Sequence, residues 1–252
     1  MCAQQPLPTG AAACALISPT QHMPTPQLIA FDADDTLWPN QPHFDQAEAD
    51  LSELLSHYAD AETLSAAFNQ THRQNMHLFG YGAKSFMLCM IETVIQLTDG
   101  RVTGTEIQQI LDCGKRLLSF TIEPLPHVEA VLSELKDRGV PLMLLTKGDL
   151  FDQESKLARS GLGDYFEYVE IVSEKNEAAY RRILARYQVP PEAFVMIGNS
   201  LKSDILPVAK LGAQAIHVPF YTTWIYEQVP EEELAGVSFH QVASLNEVLR
   251  YL

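Results

Sequence analysis

Positive charge is what this chain has least of. Against 32 Asp and Glu it carries 17 Lys and Arg, a formal net charge of -15 at pH 7. Such a surface repels polyanions, which argues against nucleic acid or an anionic membrane as the main partner. An anionic substrate must then be drawn in locally, by a metal, a lysine or helix N-termini. Cysteine is scarce as well. Cys2, Cys14, Cys89 and Cys113 show no paired metal-site spacing and are too sparse for a disulfide framework, as expected of a protein of the reducing cytoplasm. No apolar run reaches membrane-spanning length. Residues 1–26 lack periodicity, and no positive charge precedes their one apolar piece, Ala11 to Ile17. A secretory signal fits this segment poorly, and it is expected to be an N-terminal tail without structure.

What the chain does have is apolar residues, 46% of its 252, ample for a buried core. The stretch that organises it is Leu28 to Leu37, LIAFDADDTL. Four apolar residues, Leu28 to Phe31, run straight into Asp32, Asp34 and Asp35, then Thr36. This reads as a buried strand that stops where the charges begin. Carboxylates set so close repel one another, and a hard divalent cation, which takes oxygen ligands, is the simplest reason to place them together. The spacing of Asp32 and Asp34 suggests two acids with different tasks. The bland alternative is a polar turn in which Asp35 or Thr36 caps something local.

Between residues 43 and 121 the pattern is helical. Phe44, Ala47, Leu51, Leu54, Leu55 and Tyr58 recur at three- and four-residue spacing, and further helices are expected over 61–70, 84–97 and 105–120. Gly80, Tyr81 and Gly82 break the second from the third. From 122 onward, strands alternate with helices. Strands are expected at 141–145, 168–172, 193–197 and 215–218, and helices at 128–138, 149–160, 176–187 and 203–211. The fold class is therefore α/β: a Rossmann-like three-layer core with a parallel sheet, formed by 27–42 and 122–252, into which an all-helical cap, 43–121, is inserted. Ligands of open parallel sheets bind beyond the carboxyl ends of the strands. Asp32, Asp34, Thr146, Lys175, Asn199 and Asp204 are all expected at such ends.

These residues carry a resemblance. FDADDTL, the threonine closing LMLLT, the lysine at 175 and MIGNSLKSDI occur in the order of the four motifs of the haloacid dehalogenase superfamily, and the helical insert is similar to its type-one cap. The resemblance covers residues 28 to about 220 and implies a magnesium-dependent phosphatase acting on a small phosphorylated metabolite. It implies Asp32 as nucleophile and Asp34 as acid and base. It implies that Thr146, Lys147 and Lys175 bind the phosphoryl group, and that Asp32, Asp34, Asn199 and Asp204 form the Mg²⁺ site. Backbone N–H groups after Asp32 would help to cradle the phosphate. The fourth motif departs from the family pattern, since Asn199 follows Gly198 where the family usually has aspartate. The loop then offers a carbonyl oxygen with one negative charge fewer. Asp35 stands where the family often has glycine.

Two other readings compete. A 2-haloacid dehalogenase uses the same carboxylate nucleophile on carbon, but needs no acid at position 34. A weakly catalytic member that only binds phosphate ligands would explain Asn199. Lys84, on the cap break, is a candidate substrate contact. The aromatic segment His217 to Glu227 is a candidate for the rim of the site or for a loop packed onto the core, and the second is expected of Trp224. Either a monomer or a homodimer fits the sequence.

Overall fold

Strand β1 (Leu28–Phe31) shows why the chain folds as two layers around a sheet. Its side chains alternate. Ile29 and Phe31 enter one apolar cluster, with Val131, Leu132 and Leu135 of helix α5 (Val128–Asp137). Leu28 and Ala30 enter another on the opposite face, with Tyr180, Ile183 and Leu184 of α7 (Glu177–Tyr187). This computed structural model describes residues 25–252. Cys2, Cys14 and nearly all of the expected tail lie outside the described residues.

The other strands are β2 (Leu142–Lys147), β3 (Tyr168–Val172), β4 (Phe194–Gly198), β5 (Gln214–His217) and β6 (His240–Gln241). Among the described residues they form one six-stranded sheet in the order β3-β2-β1-β4-β5-β6, with every pairing parallel. The chain winds outward from β1 to β2 and β3, then returns to place β4 on the other side of β1. That reversal puts the carboxyl ends of β1 and β4, hence Asp32 and Asn199, side by side at the switch point where such sheets bind ligands. The two-residue β6 was not expected; it is too short to show a periodicity.

Helices α1 (Gln41–Leu54), α2 (Ala61–Phe79), α3 (Ala83–Leu97) and α4 (Gly104–Ser119) pack around a third apolar cluster that includes Leu51, Leu64, Phe68, Phe86, Met90 and Ile110. Helix α2 runs nine residues past its expected end at 70 and stops at Gly80, whose φ of 68° suits glycine.

The helix expected over 203–211 is not continuous. A wide π-helical turn, Leu201–Ile205, leads into the short α8 (Leu206–Lys210). Pro207 has no N–H to continue a ladder. In the wide turn, Ile205 N–H and Asp204 N–H both reach Ser200 C=O, at 3.2 and 2.9 Å. The turn also folds the Asp204 carboxylate back beneath Gly198. A Cβ at Gly198 would collide with it, so glycine is needed there for space.

Candidate active site

Four strand ends converge on one cavity of about 320 Å³, lined by Asp32, Asp34, Thr146, Lys147, Lys175, Asn199 and Asp204 among others. Every residue assigned to catalysis, phosphate or metal from the sequence is therefore brought to one place. Lys84 is not. Its Nζ pairs with Asp149 at 2.8 Å and lies over the ring of Phe151.

Asp32 follows β1, its N–H still donating to Ile197 C=O at 2.9 Å. Lys175 Nζ lies 2.5 Å from Asp32 Oδ1 and 2.7 Å from Asp204 Oδ1, all three groups buried. Asp204 Oδ2 accepts from Ser200 N–H at 3.0 Å, so both of its oxygens are engaged in holding the lysine and the loop. Burial and the adjacent charge of Asp204 push the Asp32 carboxyl up to about 7 against the pull of Lys175, and Asp34 adds to the push. Burial lowers Lys175, but the carboxylates of Asp204 and Asp32 outweigh it and raise the lysine.

Thr36 joins the first motif to the fourth. Its Oγ1 lies 3.3 Å from Asp32 Oδ2 and 3.1 Å from Asn199 Oδ1, and it accepts from Asn199 N–H at 3.0 Å. His217, at the end of β5, holds the same loop through Nε2, 3.0 Å from Asn199 C=O. Asp35 fulfils the bland reading of the turn. With φ at 61° it occupies the left-handed region that aspartate tolerates better than most residues, and its carboxylate accepts from Asn40 and Gln41 N–H at the start of α1. The N–H groups of Asp35, Thr36 and Leu37 are taken up within this turn. Any backbone cradle after Asp32 is thus confined to Ala33 and Asp34.

Four residues important to the site escaped the sequence reading. Lys156 on α6 (Leu150–Ser160) is buried and reaches both oxygens of Asp34, at 3.1 and 3.0 Å, as well as Asn40 Oδ1 at 2.8 Å. Gln153, one turn earlier, donates to Asp34 Oδ2 at 2.8 Å, while Trp38 Nε1 donates to Oδ1 at 2.8 Å. A signal existed: the inward residues of α6 are Asp152, Gln153, Lys156 and Ser160, whereas Leu150 and Phe151 are exposed. A helix with its polar side inside is building a site. The fourth is Glu227, which accepts from Lys147 at 2.6 Å and from the hydroxyls of Ser200 and Ser203. Nothing in its local sequence marks it.

Trp224 departs from expectation. It lines the cavity and stands against the cap, 5.7 Å from His72 and 5.9 Å from Tyr81 between ring centroids. Tyr226 OH donates to Asn69 C=O of α2 at 2.9 Å, so the segment after β5 rises to meet the helices.

Among the described residues no group of three His, Cys, Asp or Glu side chains converges as a ready metal cage. The donors at the switch point are of a different kind: the Asp32 carboxylate and the side-chain carbonyl of Asn199, both hard oxygens beside a surplus of negative charge. A divalent cation fits them, because it would offset the repulsion that raises Asp32.

A family model described as haloacid dehalogenase-like hydrolase matches residues 26–212. The chain belongs to that family. A crystal structure of a haloacid dehalogenase-like hydrolase from Xanthomonas campestris is similar at 41% identity and a TM-score of 0.73, over 79% of this chain and 84% of that one. A glyceraldehyde 3-phosphate phosphatase of Methanothermobacter thermautotrophicus is 33% identical over 38% of this chain and 45% of its own length. The matched stretch thus spans less than half of that relative. Another of that name, from Methanocaldococcus jannaschii, is 23% identical over 89% of this chain and 97% of its own. No helix among the described residues is long and apolar enough to cross a membrane.

Proposed function

We propose that this hydrolase is a Mg²⁺-dependent phosphomonoesterase of small phosphorylated metabolites. The observation that carries the reading is the meeting of Asp32, Asp34, Thr146 and Lys175, from three strand ends, in one cavity beside Asn199. Relatives named as phosphatases support it.

Asp32 Oδ attacks phosphorus and the ester P–O bond breaks, which leaves the phosphoryl group on the aspartate. Asp34 supplies the proton that the departing alkoxide oxygen takes up. Asp34 then removes a proton from water, the water oxygen bonds to phosphorus, and the bond to Asp32 breaks. Lys175 holds Asp32 and neutralises phosphoryl charge, and Thr146 donates a hydroxyl hydrogen bond to it. Lys156, Gln153 and Trp38 fix the Asp34 carboxylate. Lys147, whose charge is shared with Glu227, borders the phosphoryl position. Asp32, the Asp34 backbone carbonyl and Asn199 would hold the metal, which would supply positive charge to offset the repulsion between the carboxylate and the phosphoryl group. Asp204, with both oxygens engaged, serves this site through Lys175. The helical cap, 43–121, closes the cavity over the substrate.

Hydrolysis of an aryl phosphate with Mg²⁺ and with excess chelator, for wild type and Asp32→Asn, tests this reading. Turnover that needs the metal and is abolished by the substitution is expected. A folded protein with no turnover under any divalent metal would refute it. A dehalogenase is disfavoured by the three donors that fix Asp34, a residue halide displacement does not use.

A further inference from the structure

The roof of the cavity differs in chemistry from its floor. Helix α1 presents Gln41, Phe44, Asp45 and Glu48 to it, and α2 presents Ser65, Phe68, Asn69 and His72. Each set follows the spacing i, i+3, i+4, i+7, so each is one continuous helix face. Glu48 Oε1 accepts from Ser65 Oγ at 2.7 Å and ties the two faces together. With Phe86 and Trp224 they make an aromatic wall that carries two carboxylates.

The charges around the cavity do not balance on that side. Its three lysines are each engaged below: Lys147 with Glu227, Lys156 with Asp34, and Lys175 with Asp32 and Asp204. No arginine lines it. Asp45 and Glu48 accept only from the neutral groups of Gln41 and Ser65. His72 supplies an independent sign of a missing ligand. It is 5% exposed, lines the cavity, and has neither ring nitrogen hydrogen-bonded. Burial lowers its pKa, which favours the neutral ring with a free acceptor lone pair. Its ring packs against Phe68, Trp224 and Tyr226 at centroid distances of 5.4 to 5.7 Å.

We infer that the roof is a subsite for a positively charged leaving group, so that the preferred substrates are phosphate esters of amino alcohols. Aromatic faces attract an organic cation, Glu48 supplies the countercharge, and the neutral His72 ring adds no positive charge to oppose it. An ester whose alcohol carries a carboxylate or second phosphate meets Asp45 and Glu48 with no cation to receive it. The inference rests on the phosphatase reading for the identity of the other end of the ligand.

Three esters of similar size, phosphoethanolamine, ethyl phosphate and phosphoglycolate, make the test. Initial rates are measured on wild type and Glu48→Gln, and binding by calorimetry on Asp32→Asn. The kcat/KM of wild type should favour the ammonium over the carboxylate ester by ~100-fold, with the neutral ester between, as like-charge juxtaposition costs several kcal/mol. Glu48→Gln should compress that ratio to ~10-fold or less. Should that variant fail to fold, rising salt must shrink the wild-type ratio. Equal or better turnover of phosphoglycolate would overturn the inference and leave a phosphatase. Absence of turnover, with binding to Asp32→Asn still ordered by charge, would refute the phosphatase and keep the cationic subsite. Neither turnover nor ordered binding would refute both.

Discussion

The floor and the roof of the cavity are built by opposite means. On the floor, carboxylates are set against buried lysines, Lys175 within hydrogen-bond reach of Asp32 and Asp204, and Lys156 within reach of Asp34 and 3.6 Å from Asp152 of α6. On the roof, Glu48 and the more exposed Asp45 border the aromatic wall with no cation opposite. Paired buried charges hold a reacting geometry fixed, whereas unpaired ones at a ligand surface await a partner. The floor is thus suited to chemistry and the roof to selection. Substitutions below should act on kcat, and those above on KM.

The largest effect is expected from Lys175→Ala, which leaves Asp32 and Asp204 buried without their shared cation. Activity should fall by at least ~10³-fold and stability by about 3–5 kcal/mol, read from aryl phosphate turnover and urea unfolding. A stable, active variant would mean the floor is not an ion-paired frame. Lys156→Met keeps the length of the side chain but releases Asp34. A drop in kcat of ~10- to 100-fold with KM nearly unchanged is expected, the cost of a displaced acid–base group. If KM moves instead, Asp34 belongs to binding.

Asn199→Asp alters the floor in the other direction by adding a negative ligand. The Mg²⁺ concentration for half-maximal activity should drop by ~10-fold, since charge count tunes the affinity of such sites. In the absence of metal the same variant should melt lower than wild type. Trp224→Ala on the roof should raise KM for phosphoethanolamine by ~3- to 10-fold and leave kcat within ~2-fold, the loss of one aromatic wall.

Glu227→Gln is the mildest change. Burial raises a carboxyl, but here the charge of Lys147 and the hydrogen bonds of Lys147, Ser200 and Ser203 outweigh it and hold Glu227 below the ordinary value of 4.5. A depressed carboxyl contributes stability that is complete above its unfolded pKa and fades as pH falls through the folded one. Wild type should therefore lose this part of its stability below about pH 4.5, whereas Glu227→Gln, already lacking it, should show a shallower acid limb in melting curves. Parallel limbs would show that the pair carries no stability.

The same contrast explains what the sequence made legible. The floor could be read because each strand is a short apolar run stopped by polar residues, and parallel sheets gather those stops at one edge. Asp32, Thr146, Lys175 and Asn199 were found that way, and the sheet with them. Lys156 and Gln153 were hidden because a lysine and a glutamine in a polar helix read as solvated residues. Only the exposed Leu150 and Phe151 betray that α6 is turned inside out. Glu227 and Trp224 depend on where a loop after β5 comes to rest, which no local pattern specifies. The roof was invisible for a related reason. Phe44 and Phe68 satisfy both a core stripe and a cavity wall, so helical periodicity alone cannot tell them apart. Lys84 looked free in the sequence, yet Asp149 holds it away from the cavity.

The central claim is that Asp32 carries the phosphoryl group during turnover. Enzyme mixed with excess aryl phosphate and Mg²⁺, quenched in acid during steady turnover and digested, can be weighed peptide by peptide. Phosphate is expected on the peptide that contains Asp32, absent when substrate is omitted and absent from Asp32→Asn. Release of phosphate at the full rate with no labelled enzyme, and its persistence in Asp32→Asn, would contradict the account.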